Sequence, residues 1–383
     1  MTRLVLLTEI IAPYRIPVFN TLARREEIDL HVVFLAESDP GLRQWDIYKD
    51  DIRFSYQVLP SWRRRLGRYN LLLNWGLSSA LDEGSPDAIL CGGYNYLASW
   101  ECLRWAQARE VPFYLWVEST ARDRRNGRLL TESFKRSFLR RCSGFVVPGT
   151  SSREYLRSFG IADERVFTSP NAVDNNFFAS GARAAKQADQ NYRTELRLPR
   201  RYLLFVGRLV PEKGVFDLVS AYAALPANVR EQLSLVFVGD GVARGELERR
   251  AAGIAPGNIC FAGFAQREEL ARYYGLAEAL VFPTHTDTWG LVVNEAMACG
   301  LPVIATSVAG CVADLVEDGW NGRVVSAGDV GALTSAIASL SDQEAVRARM
   351  GANSAARIAA NSPANWADGV AAMLTKQQVS CHG

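Results

Sequence analysis

Short runs of mostly apolar residues, three to six long, alternate with segments of helical periodicity along most of this chain, and the alternation restarts near residue 201. A strand that is apolar on both sides must be covered on both faces, and strand–helix alternation covers a sheet that way only when the strands run parallel. In the first half the pattern predicts strands near Leu4–Leu7, Leu30–Leu35, Ala88–Leu90, Phe113–Val117, Gly144–Val147 and Val166–Thr168. In the second it predicts strands near Tyr202–Val206, Leu235–Val238, Ile259–Ala262, Ala279–Phe282 and Val303–Ala305. Residues 176–200 show no strand pattern and read as a linker, giving domains at 1–175 and 201–360. The final segment, about 361–383, is helical. At 383 residues the chain can bury a sizeable core in each of two domains.

The seven cysteines form no CxxC pair and no His/Cys cluster, which argues for reduced core thiols and a cytoplasmic protein. The apolar run Leu4–Leu7 is too short for a signal peptide, and no stretch approaches the roughly 20 residues that span a bilayer. Charge is uneven: residues 1–172 hold 24 Lys and Arg against 20 Asp and Glu, while the rest holds 19 against 21. The excess gathers in two clusters. One contains Arg63, Arg64, Arg65 and Arg68 beside Trp62 and Tyr69. The other runs from Arg122 through Arg124, Arg125, Arg128, Lys135 and Arg136 to Arg141, with Phe134 and Phe138 interleaved. Such runs are often solvated faces. Their aromatic content makes 62–69 and 122–141 candidates for peripheral contact with an anionic membrane or a diphosphate-linked acceptor. No nucleic-acid module is visible.

The segment Pro283–Ala309 carries the most chemistry. Asp287 precedes Glu295 by eight positions, with Gly290 and the start of a helix between them. The free amides of Gly290, Leu291 and Val292, at the positive end of the helix dipole, suit a phosphate. The flanking carboxylates suit sugar hydroxyls. This segment resembles the acidic-x7-acidic motif of the retaining group 1 (family four) glycosyltransferases. Three further stretches are similar to motifs of that family, in its order: Ser169–Asp174 (SPNAVD), Phe205–Gly214 (FVGRLVPEKG) and Leu235–Gly241 (LVFVGDG).

The resemblance implies an α/β GT-B architecture, two doubly wound Rossmann-like domains facing each other across a cleft. The first would bind acceptor and the second a nucleotide-sugar donor, with the C-terminal helix crossing back onto the first. It implies a retaining hexosyltransferase, by default moving glucose from UDP-glucose to a glycan or lipid-linked acceptor in polysaccharide or glycoconjugate synthesis. Arg208 and Lys213 would meet the diphosphate, Asp287 the donor sugar and Glu295 the ribose. Gly207, Gly263, Phe264, Thr288 and Trp289 would complete the donor site, with Gly290, Leu291 and Val292. Asp287 stands where the family usually has Glu. No metal or cofactor is expected, because those cations and amides can carry the phosphate charge.

In the first half, Glu118 stands where the family often has His. It could stabilise an oxocarbenium-like sugar or orient the acceptor, or simply pair with Arg122 or Arg124. Glu9, Arg15, Tyr94 and Asn95 follow predicted strands and are candidates for acceptor contact. His285 reads equally as a capping or solvent-facing residue and as a sugar contact, and Phe264 equally as core and as a base-stacking group. A nucleotide-sugar epimerase of the same architecture, or a non-catalytic nucleotide-sugar binding protein, would fit the same motifs.

Overall fold

A computed structural model describes residues 1–39, 45–66, 69–121, 129–254 and 257–381. The strands are β1 (Thr2–Thr8), β2 (Ile28–Phe34), β3 (Ser55–Val58), β4 (Ser61–Leu66), β5 (Tyr69–Asn74), β6 (Ala88–Cys91), β7 (Phe113–Trp116), β8 (Gly144–Val147) and β9 (Val166–Thr168), then β10 (Tyr202–Val206), β11 (Ser234–Val238), β12 (Ile259–Gly263), β13 (Ala279–Phe282), β14 (Val303–Thr306) and β15 (Gly322–Val325). They divide between two compact units, one of residues 1–173 with 363–383, the other of residues 174–362.

The first unit is built on a seven-stranded sheet of order β3-β2-β1-β6-β7-β8-β9, with every neighbour parallel. Successive strand residues point to opposite faces, so each strand feeds two cores. Val5, Leu7, Ile89, Cys91, Phe113 and Leu115 enter one core. Leu4, Leu6, Leu90, Tyr114 and Trp116 enter the other. The second core is closed by the C-terminal helix Pro363–Cys381. Its Trp366 is fully buried with ring centroids 5.1 Å from Trp116 and 5.8 Å from Phe19, and its backbone carbonyl accepts from Ser169 Oγ at 2.5 Å. Between β3 and the next helix the chain makes an antiparallel hairpin, β4–β5, that joins neither large sheet.

The second unit has six parallel strands in the order β12-β11-β10-β13-β14-β15. Numbered from its own first strand this is 3-2-1-4-5-6, the doubly wound dinucleotide-fold order. The order reverses between β10 and β13, and sheets of this order bind their ligands at that switch point, outside the carboxyl ends of the strands.

The segment expected as a linker is part of this unit. Residues 176–200 contribute most of one helix, Asn175–Gln187, and the whole of a second, Asp189–Glu195. Their small residues, which read as linker composition, permit close packing. A Cβ on Gly181 would lie 2.6 Å from Ala271, and one on Gly275 would lie 2.8 Å from Ala182. Three strands also went unexpected in addition to the hairpin pair's first strand: β3 and β15 are edge strands, and the Leu-rich β5 faces a run of arginines in β4. Of the basic clusters, Arg68, Arg122, Arg124, Arg125 and Arg128 lie outside the described residues, as do the side chains of Arg65 and Tyr69.

Candidate functional site

In the second unit the singled-out residues gather at the carboxyl ends of β10, β11, β12 and β13. The loop after β10 starts at Gly207, whose amide donates to Val238 O at 3.0 Å, and continues through the exposed Arg208 to a single 3-10 turn, Pro211–Lys213. Gly214 ends that turn at φ +67°, and a Cβ there would lie 1.9 Å from Pro283 O. Only glycine lets this loop lie flat on the chain leaving β13. Thr284 Oγ1 and the His285 amide both donate to Glu212 O, at 3.1 and 2.9 Å. Loop-to-loop contact of this kind brings Lys213 Nζ to 2.5 Å from Asp287 Oδ2, with both side chains more than four-fifths buried. His285 is exposed, as the solvent-facing reading has it, and its Nε2 lies 2.7 Å from Asp217 Oδ2.

Asp287 Oδ1 accepts from the Trp289 amide at 3.2 Å, which turns the chain into the helix Leu291–Ala298. Gly290 precedes that helix at φ +101°, packed so closely on Phe282 that a Cβ would lie 2.7 Å from the ring. Leu291 and Val292 therefore open the first turn, where amides have no intrahelical acceptor. Lys213, Asp287 and this helix start share one loop cluster. Thr288 is exposed beside them. Trp289 departs from expectation: its indole is buried and donates to Asn294 Oδ1 at 2.9 Å, so it props the turn from inside.

Glu295 is half-buried, and its carboxylate accepts from the Tyr274 hydroxyl at 2.7 Å. Burial pushes its carboxyl up to about 7, while the phenol's hydrogen bond pulls the other way. Gly263 closes β12 at φ +82°, and its carbonyl accepts from the Gly239 amide at 2.7 Å. Phe264 next to it is 40% exposed and is not a core residue.

In the first unit a second cluster forms at the ends of β1, β7 and β9. Arg15 Nη2 lies 2.5 Å from Glu118 Oε1, and Arg15 Nη1 donates to Asn171 Oδ1 at 3.0 Å. Asn171 Nδ2 donates to the same Glu118 oxygen at 2.8 Å. The guanidinium also lies 4.1 Å above the Trp116 ring. Glu118 is thus paired with Arg15, not free; the pairing weighed with Arg122 or Arg124 lies outside the described residues. Glu9 pairs with Arg63 Nη1 at 3.1 Å, a nitrogen that also meets Asp39 Oδ2 at 2.5 Å. Tyr94 donates or accepts across 3.0 Å to Tyr155 and packs on Phe138, which anchors it; Asn95 is exposed.

Asn171, Tyr274, Asn294 and Arg63 were not expected to hold site residues in place. Asn171 lay within a recognised motif and Asn294 directly before Glu295, and a polar residue in an otherwise apolar stretch is a legible signal. Tyr274 lies 21 positions from its partner and gave none. Among the described residues no group of three or more His, Cys, Asp and Glu is arranged to hold a metal ion.

Two doubly wound parallel sheets, each with its candidate residues at the carboxyl ends of the strands, define the GT-B class. Solved structures agree on the fold. The Anabaena protein Alr3699/HepE in complex with UDP matches with a TM-score of 0.74 at 19% identity, covering 98% of this chain and 100% of its own. Sucrose-phosphate synthase from Thermosynechococcus elongatus matches with a TM-score of 0.77 at 20% identity, over 99% and 100%. The family model of group 1 glycosyl transferases matches residues 188–357, and that of glycosyltransferase family 4 matches residues 20–177. The chain belongs to the group 1 glycosyltransferases. It is 30% identical to a D-inositol 3-phosphate glycosyltransferase of Xylanimonas cellulosilytica, over 58% of this chain and 53% of the relative. It is 29% identical to O-antigen chain mannosyltransferase B of Escherichia coli, over 50% and 49%. The matches thus span about half the length of these curated relatives.

Proposed function

We propose that this protein transfers a hexose, with retention of anomeric configuration, from a nucleoside-diphosphate sugar to a hydroxyl of a glycan or lipid-linked acceptor in polysaccharide or glycoconjugate synthesis. The observation that carries the reading is the meeting of Lys213, Asp287 and the Leu291 helix start in one loop cluster. The diphosphate sits on the helix amides and between the Arg208 and Lys213 side chains. Asp287 holds the donor sugar and Glu295 the ribose hydroxyls, with Gly207, Gly263, Phe264 and Thr288 shaping the nucleotide pocket. The donor taken as default is UDP-glucose, supported by the fold's likeness to a UDP complex.

In the reaction the bond from the sugar C1 to the diphosphate oxygen breaks while the acceptor oxygen bonds to C1 on the same face. The acceptor's proton passes to the departing phosphate oxygen. Negative charge grows on that oxygen, and fixed cations and amides aimed at it lower the barrier. In the first unit Glu9, Arg15, Tyr94 and Asn95 are the acceptor contacts, with Glu118 held beside Arg15 to orient the acceptor hydroxyl. The location that fits a nucleotide-sugar donor is the cytoplasm, where cysteines such as the buried Cys91 and Cys299 stay as free thiols. The test is calorimetry against UDP-, GDP- and ADP-sugars, followed by product analysis with and without acceptor. Donor turnover to an epimer without acceptor, or binding without turnover, would overturn the proposal.

A further inference from the structure

The β4–β5 hairpin has two unlike faces. Residues directly opposite each other in an antiparallel pair lie on the same side, and the register sets Trp62 against Leu73, Arg63 against Leu72 and Arg64 against Leu71. The Arg63/Leu72 side faces the protein: Leu72 is buried, and Arg63 is held by Glu9 and Asp39. Asn74 Nδ2 donating to Leu35 O at 2.5 Å and the Trp75 amide donating to Pro60 O at 3.1 Å fix the hairpin's base.

The opposite side carries Trp62, Arg64, Leu71 and Leu73. Trp62 is 44% exposed, Arg64 is exposed, and Trp75, just past the hairpin, is 55% exposed. A lone two-stranded hairpin is marginal in water, and two exposed indoles on one are costly unless something covers them. β5 packs beside the helix Leu97–Ala108. That helix begins with Leu97, 62% exposed, and its Trp100 makes an edge contact with Phe134, 64% exposed, on the helix Leu129–Arg141. On that second helix four cations, Lys135, Arg136, Arg140 and Arg141, oppose one carboxylate, Glu132.

We infer that this face of the first unit, with Trp62 and Trp75 as its anchors, docks on an anionic phospholipid bilayer. Indoles and aliphatic groups suit the headgroup boundary, where an aromatic ring is apolar in body and polar at its edge. The arginines and Lys135 match the negative potential of an anionic leaflet. A bilayer rather than a protein partner is favoured because the apolar groups are spread over a hairpin and two helix surfaces, and cations outnumber carboxylates four to one on the helix Leu129–Arg141. Among the described residues no helix is long and apolar enough to cross a membrane, so the contact is a surface one. Because Arg63 on the inner side of the same strand holds Glu9, the docked hairpin would also support the acceptor residues proposed above.

Co-sedimentation with phosphatidylcholine vesicles, with and without phosphatidylglycerol, tests this on the full chain. Partitioning is expected onto the anionic vesicles only, weakening as salt rises. Arg64→Ala should reduce it about fivefold, at about 1 kcal/mol for one cation near an anionic surface. The pair Trp62→Ser with Trp75→Ser should reduce it by roughly tenfold or more, about 1.4 kcal/mol. Thermal unfolding and UDP calorimetry should be unchanged in these variants, which separates this test from that of the transferase reading. Equal partitioning to neutral vesicles, none to either, or self-association that the Trp variants abolish would overturn the inference.

Discussion

Replacing Lys213 by Ala separates the two tasks this side chain could have. Its ammonium lies 2.5 Å from Asp287, and the two side chains are 16% and 19% exposed. Exposed ion pairs contribute about 0–1 kcal/mol, and breaking a fully buried one costs about 3–5 kcal/mol. This pair lies between those limits, so Lys213→Ala should destabilise the protein by about 1–3 kcal/mol. Asp287→Asn should relieve part of that loss, giving a coupling of at least about 0.5 kcal/mol in a double-mutant cycle read by urea unfolding. Catalysis should respond differently. In Lys213→Ala the leaving phosphate oxygen loses its cation, and turnover per folded molecule should fall at least tenfold, about 1.4 kcal/mol or more in the barrier. Lys213→Arg, which keeps the charge, should retain more of the rate. Turnover within twofold of wild type in Lys213→Ala would refute the phosphate role, and a coupling near zero would refute the pair itself.

Glu295 sets a pH dependence with a definite sign. Its folded-state carboxyl is raised from 4.5 to about 7 by burial, so between those values the folded state binds more protons than the unfolded one. Its contribution to stability is therefore fully present below about 4.5 and lost as pH rises through about 7. The stability of Glu295→Gln relative to wild type should accordingly improve across that window in urea titrations at several pH values; a flat difference would contradict the burial argument. Asn171 is fully buried and holds both Arg15 and Glu118, so Asn171→Ala should cost about 1–3 kcal/mol. It should also raise the acceptor KM while UDP binding, by calorimetry, stays the same. Trp366→Ala empties a fully buried site between Trp116 and Phe19, and should cost the first unit about 3–5 kcal/mol in thermal unfolding.

The central strands of both sheets were legible because a strand covered on both faces must be apolar throughout, as Leu204, Phe205 and Val206 are. The edge strand β15, GRVV, carries an arginine and its first residue is a glycine packed against Val303 O, so nothing in its composition marks a strand. The hairpin was hidden for a related reason. An arginine run reads as a solvated loop until the backbone shows that Arg63 turns inward to two carboxylates. The helix Asn175–Gln187 was mistaken for linker because small residues signal both flexibility and tight helix packing, and only its neighbour, Ala271, decides between them. At the candidate site, the glycine and charge spacing pointed to Asp287 and the Leu291 helix start, whereas Lys213 came in through the resemblance of FVGRLVPEKG to a family motif. Which residues brace them depends on long-range contacts, as with Tyr274 and Glu295, and spacing along the chain does not encode those.

The diphosphate seat is tested most directly by comparing UDP with uridine in titration calorimetry, for wild type and for the variant carrying both Arg208→Ala and Lys213→Ala. The account predicts that wild type binds UDP at least tenfold more tightly than uridine, and that the double variant loses most of this advantage while its uridine affinity holds. Equal affinity of wild type for the two ligands, or an advantage that survives loss of both cations, would contradict it.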